Sequence, residues 1–390
     1  MRILVSSTPG TGHLNSLLPL CSALKSAGHE LLVVTGTESR DYVAGKGFDV
    51  VTGGLTSNER RAAYGPRLAE TMALPPRERR GLFFAGFFAE IAAPAMRTDL
   101  IPVFDQFRPH MSIHERGELA SAPMCVARGI PHVTVAFSGA LPPWSDQMVI
   151  ERLEPLWASE GLPRPTMEQI NGALYLHPFP PSFGQAPASG NVQPMRPIAG
   201  DSGPIALPWL DQLGTARPLV YLTAGTEPAA AQMFPWATAL ATLGGFDVDV
   251  VATVGSHFDP AVVGDGPPNV RIERFVPQQL VLEKASVVVS HAGAGSVLGG
   301  ATHGVPQLLA PLLADQWENA DAATGAGVAT TLELDQRSAA HIGDAFEQIM
   351  KSDRLKAAAT RVAGEIAAMP SPTDHVATIE GLMDGGTSDG

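Results

Sequence analysis

Short apolar runs that end in small-residue turns and then open helical patterns recur along this chain, and they do so in both halves. Residues 3–6 form one such run, Thr8-Pro9-Gly10-Thr11-Gly12 is its turn, and 13–27 place Leu14, Leu17, Leu18, Cys21 and Leu24 on one helical face, closed by Gly28. Residues 31–35 read as the next strand. A strand–helix–strand unit of this kind requires a parallel sheet. Further strands are predicted at 48–51, 111–114 and 133–137, with a helix over 119–128. The second half repeats the order, with strands at 219–223, 248–254, 286–290 and 307–310 and helices over 233–243 and from Gln316 onward. The expectation is an α/β protein of two open domains with a cleft between them. Ligands of such sheets bind beyond the carboxyl ends of the strands.

The 390 residues agree with about two domains. Residues 178–217 hold many Pro and Gly and no sustained period, and the linker is placed there, at 201–217. That gives an N-terminal domain over 1–200 and a C-terminal domain over 218–370. A final helix and tail, 371–390, is expected to pack back on the first domain, with 385–390 frayed. Lys and Arg total 26 against 39 Asp and Glu, a net charge of −13. This acidic balance argues against nucleic acid and anionic membranes as partners. Cys21 and Cys125 are too few for a disulfide framework or a cysteine-built zinc site. The first apolar run is too short for a signal peptide and no run reaches a membrane span, so a cytoplasmic protein is expected.

Chemistry is expected in the turns. Ser290-His291-Ala292-Gly293-Ala294-Gly295-Ser296 follows a strand and opens a helix. Its small residues let backbone N–H groups approach an anion, and the helix N-terminus favours negative charge. On its own the turn fits steric packing equally well. His13 opens the first helix, where a neutral imidazole can accept a proton; as a lone histidine it reads first as a helix-end residue capping its own backbone. Phe83, Phe84, Phe87 and Phe88, with Trp144 nearby, could line an apolar pocket, although 84, 87 and 88 also have the spacing of a core stripe. Residues 56–90 are the least regular part of the first half, and Arg77, Arg79 and Arg80 read as a solvated face.

The ordered set Phe275-Val276-Pro277-Gln278, the Gly-rich turn, Gly304-Val305-Pro306-Gln307, and Pro311-Leu312-Leu313-Ala314-Asp315-Gln316 with Asn319-Ala320 resembles the donor signature of family 1 nucleotide-sugar glycosyltransferases. These have the GT-B fold of two Rossmann-like domains, and the likeness is to the actinobacterial natural-product (antibiotic) branch. It is dense over 270–325. It is weaker across the rest, at Gly12-His13, Gly28-His29-Glu30, Gly129-Ile130-Pro131 and Gly225-Thr226.

The resemblance implies donor contacts from Gly12, Thr226, Phe275, Val276, His291, Gly293, Ala294, Gly295, Ser296, Asp315 and Gln316. Phe275 and the Val276 backbone would face the base, and Asp315 and Gln316 the sugar hydroxyls. It implies acceptor contacts around Phe83, Phe84, Phe87 and Trp144, and His13 as general base with Glu115 as its carboxylate, Glu118 being the fallback. Many relatives carry a Glu where this chain has Gly299, which favours a dTDP-sugar over a UDP-sugar. The implied enzyme is inverting, of hexosyltransferase type and metal-independent. It needs no cofactor, because the nucleotide sugar is a substrate, and its acceptor is a hydroxyl of a hydrophobic natural product. It would be a monomer or homodimer. Two alternatives stay open: a nucleotide-sugar epimerase of the same fold, and a non-catalytic partner of a glycosyltransferase.

Other signals are weaker. Asp247-Val248-Asp249 has a metal–diphosphate spacing but lies at a strand entrance. His114-Glu115 lacks the second histidine of a zinc motif, with Glu118 in its place. Gly10-Thr11-Gly12 has Asn15 where a dinucleotide fingerprint needs glycine.

Overall fold

A computed structural model describes residues 1–198, 205–255, 259–264 and 266–384. The chain forms two compact units, each built on a parallel sheet. The expected break at 200/201, linker residues 201–204 and the tail 385–390 lie outside the described residues.

The first unit holds Met1–Pro178, Ala186–Ile198 and the chain from Pro370 on. Its strands are β1 (Arg2–Ser6), β2 (Glu30–Thr35), β3 (Asp49–Thr52), β4 (Met111–Glu115), β5 (His132–Val135), β6 (Leu174–His177) and β7 (Val192–Pro194). They pair in parallel in the order β3-β2-β1-β4-β5-β6-β7. The order reverses between β1 and β4, so the turns leaving these two strands diverge and open a crevice at their carboxyl ends. Leu14, Leu17, Cys21 and Leu24 of the first helix, Thr11–Ser26, pack on Ile3, Val5, Val33 and Ile113. Burying each such aliphatic side chain contributes about 1.5–3 kcal/mol. The final helix, His375–Asp384, adds Ile379 to the same core, and His375 Nε2 reaches the Pro194 carbonyl at 3.0 Å.

The region 56–90 is helical rather than irregular. Ser57–Ala73 is a helix begun by a Thr56–Glu59 capping box, Arg79–Phe84 another, and Ala85–Ala92 a π-helical stretch running into Ala93–Phe107. The first of these buries only Arg60, Tyr64 and Thr71, so it carries no apolar stripe for a periodicity argument to find. Arg80 is not on a solvated face. It is buried, and its guanidinium donates to Ser138 Oγ and to the Gly139 and Ala140 carbonyls.

The second unit holds Phe179–Gln185 and Ala199–Met369. Residues 179–185 thus leave the expected N-terminal segment, because Phe179 and Phe183 are buried with Leu309, Ala323 and Ile366. Linker residue Leu210 is likewise buried, against Leu219 and Tyr221. The strands are β8 (Leu219–Thr223), β9 (Asp249–Thr253), β10 (Val270–Glu273), β11 (Ala285–Ser290), β12 (Gln307–Leu309) and β13 (Ala329–Thr331). Their order is β10-β9-β8-β11-β12-β13, all parallel, with the reversal between β8 and β11. Among the described residues no helix is long and apolar enough to cross a membrane.

Two histidines of the first sheet are buried neutral. His132 Nε2 donates to the Gln169 carbonyl at 3.2 Å, and its Nδ1 accepts from His114 Nε2 at 2.9 Å. Burial, then the charge of His114, push His132 from 6.5 down to about 3; burial, then Arg116, push His177 down to about 4. Below pH 6.5 the unfolded chain therefore binds protons that the native chain refuses, and stability falls as pH drops toward 4. Urea midpoints measured from pH 7.5 to 5 should decline across this window. The decline should flatten in His132→Gln. A midpoint indifferent to pH above 5 would contradict the buried-neutral assignment.

Candidate active site

The first crevice collects side chains from the ends of β1 and β4. β4 delivers Glu115 with no exposed surface. The turn after β1 delivers Thr8, whose backbone N–H donates to Glu115 Oε1 at 3.0 Å and whose hydroxyl donates to the same oxygen at 2.5 Å. Glu115 Oε2 accepts the Gly117 N–H. His13, in the first turn of the helix Thr11–Ser26, places Nδ1 3.1 Å from Glu115 Oε1 and 3.0 Å from Thr8 Oγ1. Burial alone would raise the Glu115 carboxyl. The positive charge that His13 can carry, with bonds from His13, Thr8 and Gly117, outweighs it and holds Glu115 below the usual carboxylate range. An ionised Glu115 fixes the proton on Nδ1, which leaves Nε2 free to accept one. The imidazole lies against the Phe137 ring (3.9 Å between centroids, 30° between planes), with Phe88 at 5.8 Å.

His13 and Glu115 are thus brought together. Glu118 is elsewhere: it accepts Ser6 Oγ at 2.6 Å and the Ala120 and Ser121 N–H groups at the start of the helix Ser121–Arg128. Thr8, Phe88 and Phe137 complete the surroundings of His13. Thr8 was hinted at by its place in the first turn and Phe88 by the aromatic cluster; Phe137 carried no signal beyond its strand. Gly12 is exposed one residue before His13. Of the aromatic set, Phe84 and Phe87 are buried in the core, Phe83 is half-buried and stacks on Phe87 at 4.6 Å, and Trp144 is half exposed.

The second crevice gathers the turns after β8, β11 and β12. His291 is buried with its ring between two glycines. A Cβ at Gly225 (φ +71°) would stand 2.6 Å from His291 Cε1, and one at Gly293 2.4 Å from Nε2. A side chain at either position would require the His291 ring to move. Burial pushes His291 down to about 4, against the opposing charge of Asp315, so near neutral pH it offers a ring N–H and no charge. Gly293 caps the helix Ala294–Thr302, whose first turn carries Gly295, exposed, and Ser296, mostly buried. Thr226 is exposed after β8. Phe275 is 60% exposed beside the buried Val276, an apolar platform held out to solvent.

Asp315 and Gln316 begin the helix Gln316–Gly325. Gln316 Oε1 is already committed, accepting the Leu312 and Leu313 N–H groups at 2.8 and 3.0 Å. The space at Gly299 is not open either. A Cβ there would meet Leu282 at 3.0 Å and the Gln278 amide at 3.1 Å, and Gln278 donates to the Gly295 carbonyl. The Gln278 amide therefore stands beside Gly299.

Asp249 of the Asp-x-Asp pair is structural: it pairs with Arg217 at 2.5 Å and accepts the Gly214 N–H. No group of three His, Cys, Asp or Glu among the described residues is arranged to hold a metal ion.

Residues 237–382 match the family model described as "Erythromycin biosynthesis protein CIII-like, C-terminal domain". The chain is 33% identical to the L-demethylnoviosyl transferase of Streptomyces niveus, over 95% of this chain and 96% of that one. It is 29% identical to the 4'-demethylrebeccamycin synthase of Lentzea aerocolonigenes, over 98% and 99%. Among solved structures it is similar to the spinosyn rhamnosyltransferase SpnG complexed with thymidine diphosphate, with a TM-score of 0.81 and 25% identity over 97% of this chain and 100% of that one. With identity at this level running through both units, the chain belongs to the actinobacterial antibiotic-biosynthesis glycosyltransferases of the GT-B fold.

Proposed function

We propose that this glycosyltransferase moves a sugar from a dTDP-sugar to a hydroxyl of a hydrophobic natural-product acceptor, by single displacement with inversion. The observation that carries the reading is the His13–Thr8–Glu115 group at the crevice of the first sheet. His13 Nε2 takes the acceptor proton, the freed oxygen bonds to the anomeric carbon, and the carbon–oxygen bond to the diphosphate breaks. Glu115, ionised and buried, stabilises the imidazolium that results.

Charge developing on the leaving dTDP is met by the N-terminus of the helix Ala294–Thr302, by the hydroxyls of Ser296 and Thr226, and by the His291 N–H. Oriented donors of this kind suit a diphosphate without a metal ion. Phe275 offers a face for the base, and Asp315 an acceptor for sugar hydroxyls. Phe83, Phe88, Phe137 and Trp144 supply the apolar surroundings of the acceptor. The thymidine diphosphate in the SpnG structure supports the choice of nucleotide.

The test is turnover of a dTDP-sugar with a panel of aglycones, read by mass spectrometry, with the anomeric configuration read by NMR. An inverted product is expected; a retained configuration would overturn the displacement. His13→Ala should lower kcat by roughly 10²–10⁴ while leaving dTDP affinity unchanged. Thr8→Val, which keeps the shape and loses the hydroxyl, should cost about tenfold in kcat. Near-normal turnover in His13→Ala would remove the general base.

Donor choice has its own check. Calorimetry should find dTDP bound more tightly than UDP. The double variant Gly299→Glu/Gln278→Ala, which installs a carboxylate and clears the amide beside it, should shift the ratio roughly five- to tenfold toward UDP. Tighter binding of UDP by the unaltered protein would reject the dTDP assignment.

A further inference from the structure

Three described non-glycine residues have positive φ, and two of them belong to the turns of the second crevice: Ala292 (φ 66°) after β11 and Ala314 (φ 54°) after β12. Alanine disfavours this region, because its Cβ crowds the backbone, so something else holds both turns. The buried side chain between them is Asn319, with no exposed surface. Its Nδ2 donates to the Ala292 carbonyl at 3.1 Å and to Asp315 Oδ2 at 3.0 Å. A primary amide nitrogen carries two N–H groups, and both are used. Flipping the amide would set Oδ1 against a carbonyl and a carboxylate, so the orientation is dictated by its two acceptors. Oδ1 itself is buried without a donor. The side chain is kept in place despite that unmade bond, which is costly in a buried setting.

We propose that Asn319 is a positioning residue that ties the diphosphate-facing turn, Ser290–Ser296, to the sugar-facing carboxylate of Asp315, so that the two halves of the donor site hold a fixed spacing. The proposal rests on the donor reading given above. One nitrogen sets both distances: it pins the backbone of the left-handed Ala292, which aims Gly293 and the helix start, and it fixes the rotamer of Asp315. The two arms are also separable. The Ala292 arm works against backbone strain, which glycine at 292 would relieve. The Asp315 arm is a charge-assisted hydrogen bond, which glycine at 292 would not restore.

The experiment is calorimetric binding of dTDP and of dTDP-α-D-glucose to the full-length protein and its variants. Unaltered protein should bind both probes, and His291→Ala should weaken both. If His291→Ala leaves both affinities unchanged, the donor reading fails, and this proposal with it. Given a valid donor site, Asn319→Ala should weaken dTDP about tenfold and dTDP-α-D-glucose further still, by another three- to tenfold. Adding Ala292→Gly should recover most of the dTDP affinity but not the extra loss seen with the sugar nucleotide. A variant that has merely lost stability would lose both affinities in one ratio, and the glycine would not separate them. Equal loss for the two probes, an unchanged affinity in Asn319→Ala, or no recovery of dTDP binding with glycine at 292 would each overturn the proposal while leaving the donor reading standing. Should Asn319→Ala fail to fold, the same two affinities are read in Asn319→Ser, whose shorter side chain reaches neither acceptor; the same unequal loss is expected, and an equal loss for the two probes would overturn the proposal.

Discussion

A parallel sheet has to be covered on both faces, and this requirement organises each unit. Helices bury the inner strands β1, β2, β4, β5 and β6 of one sheet and β8, β9, β11 and β12 of the other, so functional groups gather at strand ends. The usable end is the carboxyl end, and the usable place along it is where the order reverses. In the first unit that place lies between β1 and β4, and it assembles Thr8, His13 and Glu115. In the second it lies between β8 and β11, and it assembles Gly225, Thr226, His291 and the start of the helix Ala294–Thr302. Residues more than a hundred positions apart meet because neighbouring parallel strands put their ends side by side.

What the sequence made legible follows the same division. Strands such as β8 and β11 were readable as apolar runs, and the helix Thr11–Ser26 by its apolar face, because burial on a sheet enforces both patterns. The glycines around His291 were readable as a turn, though not as the walls of a histidine slot, since that needs the backbone of β8 beside that of β11. The helix Ser57–Ala73 escaped because its buried face is Arg60, Tyr64 and Thr71, a polar set with no hydrophobic signature. Arg80 looked like a surface charge and lies under the loop after β5, where three acceptors satisfy it. The fault in both cases is the same: patterns of hydrophobicity do not reveal a polar group buried with its partners.

Candidate site residues divide in the same way. His13 and the Asp315-Gln316 pair stood out through a resemblance carried by local motifs. Thr8 and Asn319 lie within the same motifs with no role attached to either, yet each bonds two members of its crevice at once. A group that touches two elements is invisible to any reading along one element. Gln316 illustrates the converse. Its motif suggested a sugar contact, while its oxygen caps the loop before its own helix, so only the amide nitrogen is left for that purpose.

The length of Glu115 has a physical reason in this setting. Four donors converge on its carboxylate: the Gly117 N–H on one oxygen, and the Thr8 N–H, the Thr8 hydroxyl and His13 Nδ1 on the other. Two come from the turn that leaves β1, one from the helix after it, and one from the turn that leaves β4. An aspartate at the end of β4 would sit one methylene further back. It could follow the Gly117 N–H only by drawing away from Thr8 and His13, or follow those two by abandoning Gly117. A buried carboxylate that leaves a donor unpaired, or loses one, gives up charge stabilisation where water does not reach it. With glutamate all four donors are satisfied together, and that is what allows a fully buried acid to stay ionised beside an imidazole. The tautomer of His13 therefore depends on a side-chain length at the end of β4 and on a hydroxyl at the end of β1.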